Sequence, residues 1–127
     1  MSKQIVSTND APAAIGPYSQ AIKIDGIVYT SGQIPLDPAT MELVEGDITV
    51  QAKRVMDNLM AILEAAGADA NTVVKTTCFL SDITNFSAFN EVYGSYFTET
   101  APARSCVEVA RLPKDVLVEV EAVAYVK

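Results

Sequence analysis

The chain contains no histidine and no tryptophan, only two cysteines among 127 residues, and 9 lysines and arginines against 16 acids. Without histidine there is no His-assisted nucleophile triad, no imidazole general base and no His-ligated zinc. Cys78 and Cys106 lack CxxC spacing and fall inside strand-like runs. That argues against a metal knuckle or a disulfide framework and for reduced thiols packed as small hydrophobes. A formal charge of −7 offers no broad cationic surface for tracking phosphates, so nucleic acid is not an expected partner. No apolar run approaches the roughly 20 residues needed to cross a bilayer, and no charged-then-apolar signal segment opens the sequence. A cytoplasmic location without membrane contact is the expectation. Repeats, low-complexity tracts and Pro/Gly/Ser linkers are also missing, so residues 1–127 read as one domain.

What is present is a globular composition, half hydrophobic, with alternating secondary-structure signals. A short strand is expected at Gln4–Val6. Ser19–Ile24 and Ile27–Ile34 are β-rich and are separated by Asp25-Gly26, the dipeptide suited to a type I′ hairpin turn. From Pro35 the residues favour a loop, with a short β excursion near Glu42–Val44. Ile48–Ala66 places Val55, Leu59, Ile62, Leu63 and Ala66 at helical spacing, with Asp47 to cap it and Gly67 to end it. Val73–Leu80 is a β-branched strand, and Phe86–Phe97 repeats aromatics at three- and four-residue intervals, the mark of an amphipathic helix. Arg104–Leu112 and Val116–Tyr125 then read as strands joined by a turn at Pro113-Lys114-Asp115. This order predicts an α+β fold, a mixed β-sheet with two helices packed on one face.

The last strand separates two faces. Val116, Val118, Val120, Ala122 and Ala124 form a core side, whereas Leu117, Glu119, Glu121, Val123 and Tyr125 form a mixed acidic and apolar side. Such a face meets another subunit or stands half solvated; we expect a homo-oligomer.

With histidine absent, chemistry must rest on Arg, Lys, Glu, Asp, Tyr, Ser, Cys, backbone dipoles or water. Three clusters qualify. Gly16-Pro17-Tyr18-Ser19-Gln20 offers a tyrosine hydroxyl, or simply a Gly-Pro turn with a packed ring. Thr30-Ser31-Gly32-Gln33-Ile34-Pro35 has a glycine late in a strand, where a ligand can approach the backbone or a bulge can form. Pro102-Ala103-Arg104-Ser105-Cys106 carries an arginine suited to bidentate contact with a carboxylate, with Glu119 on the following strand to handle a water proton. The alternative for that pair is a structural ion pair on a sheet surface.

Taken in order, Gly16-Pro17-Tyr18-Ser19-Gln20-Ala21, Ser31-Gly32-Gln33-Ile34-Pro35, Asn90-Glu91-Val92-Tyr93, Pro102-Ala103-Arg104-Ser105-Cys106-Val107-Glu108-Val109, Leu112-Pro113-Lys114-Asp115 and Val118-Glu119-Val120-Glu121-Ala122 closely resemble the RidA (YjgF-type) family of reactive intermediate deaminases. The resemblance runs nearly end to end. It implies a chorismate-mutase-like fold, a homotrimer with sheets lining a central barrel, and active sites in the clefts between subunits. The implied reaction is hydrolysis of small anionic enamines and imines released by pyridoxal-phosphate dehydratases (2-aminoacrylate, 2-iminobutanoate, 2-iminopropanoate) to 2-keto acids and ammonia, with no metal and no organic cofactor. By the same resemblance Arg104 binds the substrate carboxylate and Glu119 positions the attacking water, its ionised form favoured by Arg104. Tyr18, Ser31 and Gly32 line the cleft, joined by Asn90 and by Cys106, for which a lining role stands ahead of a nucleophilic one. Two other functions attached to such proteins are endoribonuclease or translation inhibitor, and a non-catalytic sensor of 2-keto acids.

Overall fold

Asp25 and Gly26 both adopt positive φ (52° and 77°), the geometry a two-residue I′ turn requires, so the strands on either side pair in tight register. The computed structural model describes residues 2–127. Its strands are β1 (Gln4–Val6), β2 (Ala21–Ile24), β3 (Ile27–Thr30), β4 (Val73–Leu80), β5 (Ala103–Glu108) and β6 (Val118–Tyr125), with helices α1 (Ile48–Ala65) and α2 (Phe86–Tyr96). They form one six-stranded sheet in the order β1-β2-β3-β6-β4-β5. β5 runs parallel to β4 and every other pairing is antiparallel. The α+β architecture with helices on one face is as the sequence predicts.

Several boundaries move, each for a specific contact or backbone conformation. β3 stops at Thr30 rather than Ile34 because Ser31 and Gly32 leave the ladder before Gln33 rejoins it opposite Val120. β2 begins at Ala21, since the preceding Gln20 is buried and turns its amide onto Thr8, Ala11 and Pro12. β6 starts at Val118, two residues later than expected, because Lys114 and Asp115 both take left-handed backbone (φ 56° and 57°). Leu117 is therefore not on the outer face; it packs against the core, and its N–H donates to Gln51 Oε1 at 2.9 Å. β5 ends at Glu108, where the carboxylate accepts the Ile83 N–H at 2.9 Å. The excursion after Pro35 is real but minimal, a bridge between Leu36 and Leu43.

α1 starts where Asp47 accepts the Val50 N–H (3.1 Å) and gives way to Gly67 at φ 89°, capping chemistry legible in the sequence. Its apolar stripe, Val55, Met56, Leu59, Ile62 and Leu63, meets Val28, Val118, Val120, Ala122 and Ala124 from the sheet. Burial of such side chains is worth about 1.5–3 kcal/mol each, and it accounts for one sheet face only. The other face remains uncovered in the protomer. One row across it runs Ile5, Ile22, Tyr29 and Val123, and another Glu119, Phe79 and Val107. Ile5 is 70% exposed and Tyr29 49%, an apolar surface of the kind that marks an interaction site.

Buried polar side chains fasten the long loop to α1. Asn58, fully buried, donates through Nδ2 to the carbonyls of Ile34 (3.2 Å) and Leu36 (3.0 Å) and accepts from Arg54 Nε (3.1 Å). Asn58→Ala strands two carbonyls and opens a void. It is expected to cost about 2–4 kcal/mol in urea unfolding, against less than about 1 kcal/mol for Arg54→Ala.

Candidate active site

The site begins with the bulge. The step from Tyr29 to Gln33 is matched on β6 by the shorter step from Val123 to Val120, so one extra residue is accommodated at Ser31-Gly32. Glycine is required there for space. A Cβ on Gly32 would overlap Glu119 Oε2 and stand 2.8 Å from Glu119 Cδ. The missing side chain is what lets the Glu119 carboxylate lie against the backbone. Glu119 makes no ion pair among the described residues, and burial, with a smaller contribution from Glu121, raises its pKa.

Tyr18 and Ser31 are brought to the same place by the chain entering β2. Tyr18 N–H donates to Gly16 O (2.9 Å) across Pro17, and Gly16 sits at φ 125°. Ser31 Oγ donates to Ser19 O at 2.6 Å, so that hydroxyl has spent its proton and presents lone pairs only. An open cleft results, lined by Tyr18, Ser31, Gly32, Ile34, Pro113 and Glu119. Behind Tyr18 and Gly32 lies a more enclosed cavity, walled by Pro12, Ile15, Leu36 and Met41 with Lys114 at its rim; neither Glu119 nor Arg104 lines it.

Arg104 lies elsewhere. Its Cα partner is Thr76, and the Thr76, Cys78 and Leu80 side of β4 is the buried one. Arg104, Cys106 and Glu108 therefore start from the helix-covered side of β5, the edge strand. The Arg104 guanidinium donates from Nη1 to Asn90 Oδ1 at 2.7 Å, and its Cζ stands 4.8 Å from the Tyr93 ring centroid and 5.4 Å from that of Phe86. Tyr93 is fixed in turn by a 2.7 Å hydrogen bond between its hydroxyl and Thr76 Oγ1. No carboxylate neutralises Arg104 among the described residues.

The predicted site residues thus fall into two groups, Tyr18, Ser31, Gly32 and Glu119 in one, Asn90, Arg104 and Cys106 in the other. Within one protomer Arg104 and Glu119 are therefore not neighbours. β4 lies between β5 and β6, and Glu119 faces the open side because its Cα partner is Phe79. Two strand spacings and three residues of offset put the two backbones about 14 Å apart, with side chains on opposite faces. Within the protomer a surface Arg–Glu ion pair does not form, and Arg104 is too distant to favour the ionised form of Glu119. Cys106 is the Cα partner of Cys78. Burial raises its pKa against the smaller lowering influence of Arg104, and burial pushes the Cys78 thiol up to about 12. Both stay protonated at neutral pH, so neither has the thiolate a nucleophile needs. Among the described residues no three His, Cys, Asp or Glu side chains are grouped to hold a metal ion.

Comparison with known proteins finds relatives that match this chain over nearly its whole length. Residues 8–126 match the family described as endoribonuclease L-PSP. The chain belongs to this family, the RidA family. A RutC family protein of Pyrococcus abyssi is 57% identical over 98% of both chains. The 2-iminobutanoate/2-iminopropanoate deaminase of Escherichia coli K12 is 53% identical over 98% of both. Among solved structures, Escherichia coli TdcF with bound serine superposes with a TM-score of 0.93 at 45% identity, over 98% of this chain and 99% of that one.

In the RidA-family chain the Phe86 and Tyr93 rings stand beside Arg104, a contact that their spacing on an amphipathic helix does not by itself announce. Their signal was the stripe Phe86, Asn90, Tyr93 at i, i+4, i+7. The bulge gives a direct test. Gly32→Ala is expected to expel the Glu119 carboxylate from its seat, visible as a changed side-chain rotamer in a crystal structure and as a return of its pKa, followed by NMR, toward the ordinary glutamate range. An unmoved Glu119 would contradict the steric argument.

Proposed function

We propose that the protein hydrolyses 2-imino acids to 2-oxo acids and ammonia as a homotrimer, with each active site assembled from two subunits. The observation that carries this reading is the split site. One half is a half-buried guanidinium with donors to spare, and the other is a half-buried carboxylate in a cleft. Neither is neutralised within the protomer, and the two are too far apart to act on one small molecule. A second copy laid on the open face would bring Arg104 of one subunit to the Glu119 cleft of the next, and the uncovered Ile5, Tyr29, Val107 and Tyr125 supply apolar area for that contact. The deaminase name of the Escherichia coli relative and the serine bound to TdcF support a small, carboxylate-bearing substrate.

The chemistry asks little of the protein. An enamine first takes a proton at C3 and loses one from nitrogen, becoming the imine, whose C2 is electrophilic. Arg104 holds the carboxylate through parallel N–H donors. Glu119, when ionised, accepts a proton from water as the water oxygen bonds to C2, and hands it to the imine nitrogen, which takes the C=N electron pair. In the resulting carbinolamine the hydroxyl proton moves by way of Glu119 to nitrogen, C=O forms as the C–N bond breaks, ammonia leaves, and the 2-oxo acid remains. Positioning and modest acid–base help suffice, because imines hydrolyse unaided in water. Tyr18 and the Gly32 backbone line the side of the cleft opposite to the incoming Arg104, and Ser31, which presents acceptor lone pairs only, suits the imine N–H. Asn90 orients Arg104, and Cys106 lines the site as a protonated thiol.

The test couples a threonine dehydratase to the protein and follows imine decay. Wild type is expected to accelerate decay over buffer, and Arg104→Ala to lower kcat/KM about a hundredfold. No acceleration by wild type, with saturable binding of 2-oxobutanoate, would instead favour a sensor. RNA cleavage by purified wild type that Arg104→Ala abolishes would favour an endoribonuclease. Sedimentation should give three chain masses. Glu119 works in its ionised form, so activity falls as pH drops through its pKa in the assembled site, where burial raises that pKa and the neighbouring subunit's Arg104 lowers it. The acid limb of kcat/KM should therefore move to higher pH in Arg104→Ala and vanish in Glu119→Gln, whose kcat drops about a hundredfold.

A further inference from the structure

Phe86, Asn90 and Tyr93 occupy one stripe of α2, and Phe86 and Tyr93 are two turns, about 10.5 Å, apart along the axis. Arg104 Cζ is 5.4 Å from one ring centroid and 4.8 Å from the other. Both distances are within cation–π reach, so the guanidinium contacts both rings. Asn90, midway along the stripe, takes one Nη1 hydrogen at 2.7 Å. The cation is thus engaged by two rings and an amide oxygen from the helix side, and its remaining donors are left for a ligand. The Tyr93 ring cannot swing away freely, because its hydroxyl is tied to the buried Thr76 at 2.7 Å and its neighbours Phe89 and Phe97 stand with centroids 5.6 and 4.8 Å away.

We infer that Phe86 and Tyr93 are positioning residues for substrate, acting through Arg104: the two rings fix the plane of the guanidinium, and that plane sets the pose of the bound carboxylate. This rests on the reading of Arg104 as the carboxylate anchor. The rings act before substrate arrives. A long arginine side chain loses rotamer freedom when it binds, and a guanidinium already held by two π faces has less to lose. The hydroxyl of Tyr93 serves the ring by anchoring it and has no contact with ligand. Ring face and hydroxyl are therefore separable by substitution.

The probe is 2-oxobutanoate, titrated calorimetrically into the assembled protein, with imine hydrolysis measured alongside. Tyr93→Leu and Phe86→Leu are each expected to weaken probe binding about three- to tenfold, and to raise KM by a similar factor with a smaller change in kcat. Tyr93→Phe, which keeps the π face, should recover most of the lost affinity. In an Arg104→Ala background the leucine substitutions should have no further effect on the residual KM, because the guanidinium they orient is gone. Wild-type affinity in both leucine variants would overturn the inference. So would equal losses in Tyr93→Phe and Tyr93→Leu, which would assign the effect to the Thr76 hydrogen bond and the fold. If Arg104→Ala itself binds the probe as tightly as wild type, the anchor role of Arg104 fails first, an outcome distinct from failure of the rings alone.

Discussion

Everything in this molecule depends on the pairing of β6 between β3 and β4. A strand in the middle of a sheet alternates its side chains between two environments, and here only one of them is sealed by helices. Val118, Val120, Ala122 and Ala124 lock the sheet to α1, and by the same alternation Glu119 and Glu121 emerge on the uncovered side. A slip of one residue in register would bury both acids and expose the valines. The position of the cleft carboxylate is thus fixed by core packing, at no further cost in specific contacts.

The two groups proposed to carry the chemistry are held by opposite strategies. Arg104 is surrounded by partners that satisfy it without neutralising it: two π faces and an amide oxygen. Glu119 is given almost nothing. It rests against a glycine, with burial and a like charge both opposing its ionisation. Burial of an unpaired charge is ordinarily avoided in a stable protomer, and each of these groups is left only half covered.

Much of the architecture was legible in the residues because it rests on local rules. Asp25-Gly26 dictates its turn, and Asp47 and Gly67 bound their helix. All five positions read as the core side of the last strand, Val116 to Ala124, are buried. Strand ends were less legible because they are set by tertiary contacts: Thr30 ends a strand since Glu119 needs the room that Gly32 provides, and Leu117 turns inward since Gln51 claims its N–H. The motif residues of the candidate site were all identifiable, but not their distribution. Chain order makes β6 the strand after β5, and nothing local announces that β4 inserts between them. The roles of Phe86 and Tyr93 were hidden for a related reason, since an aromatic at helical spacing looks the same whether it covers a valine or a guanidinium.

The direction of β5 has its own consequence. Had β5 paired antiparallel to β4, a tight hairpin of a few residues could have joined them. Parallel pairing forbids that shortcut: after Leu80 the chain must travel back along the whole strand before starting again at Ala103, and a crossover helix is the economical way to do it. That helix is α2. Its course beside the edge strand follows from strand polarity alone, and so does the presence of a helical stripe alongside residue 104. The cradle around the arginine is, in this sense, a by-product of topology that three side chains have put to use.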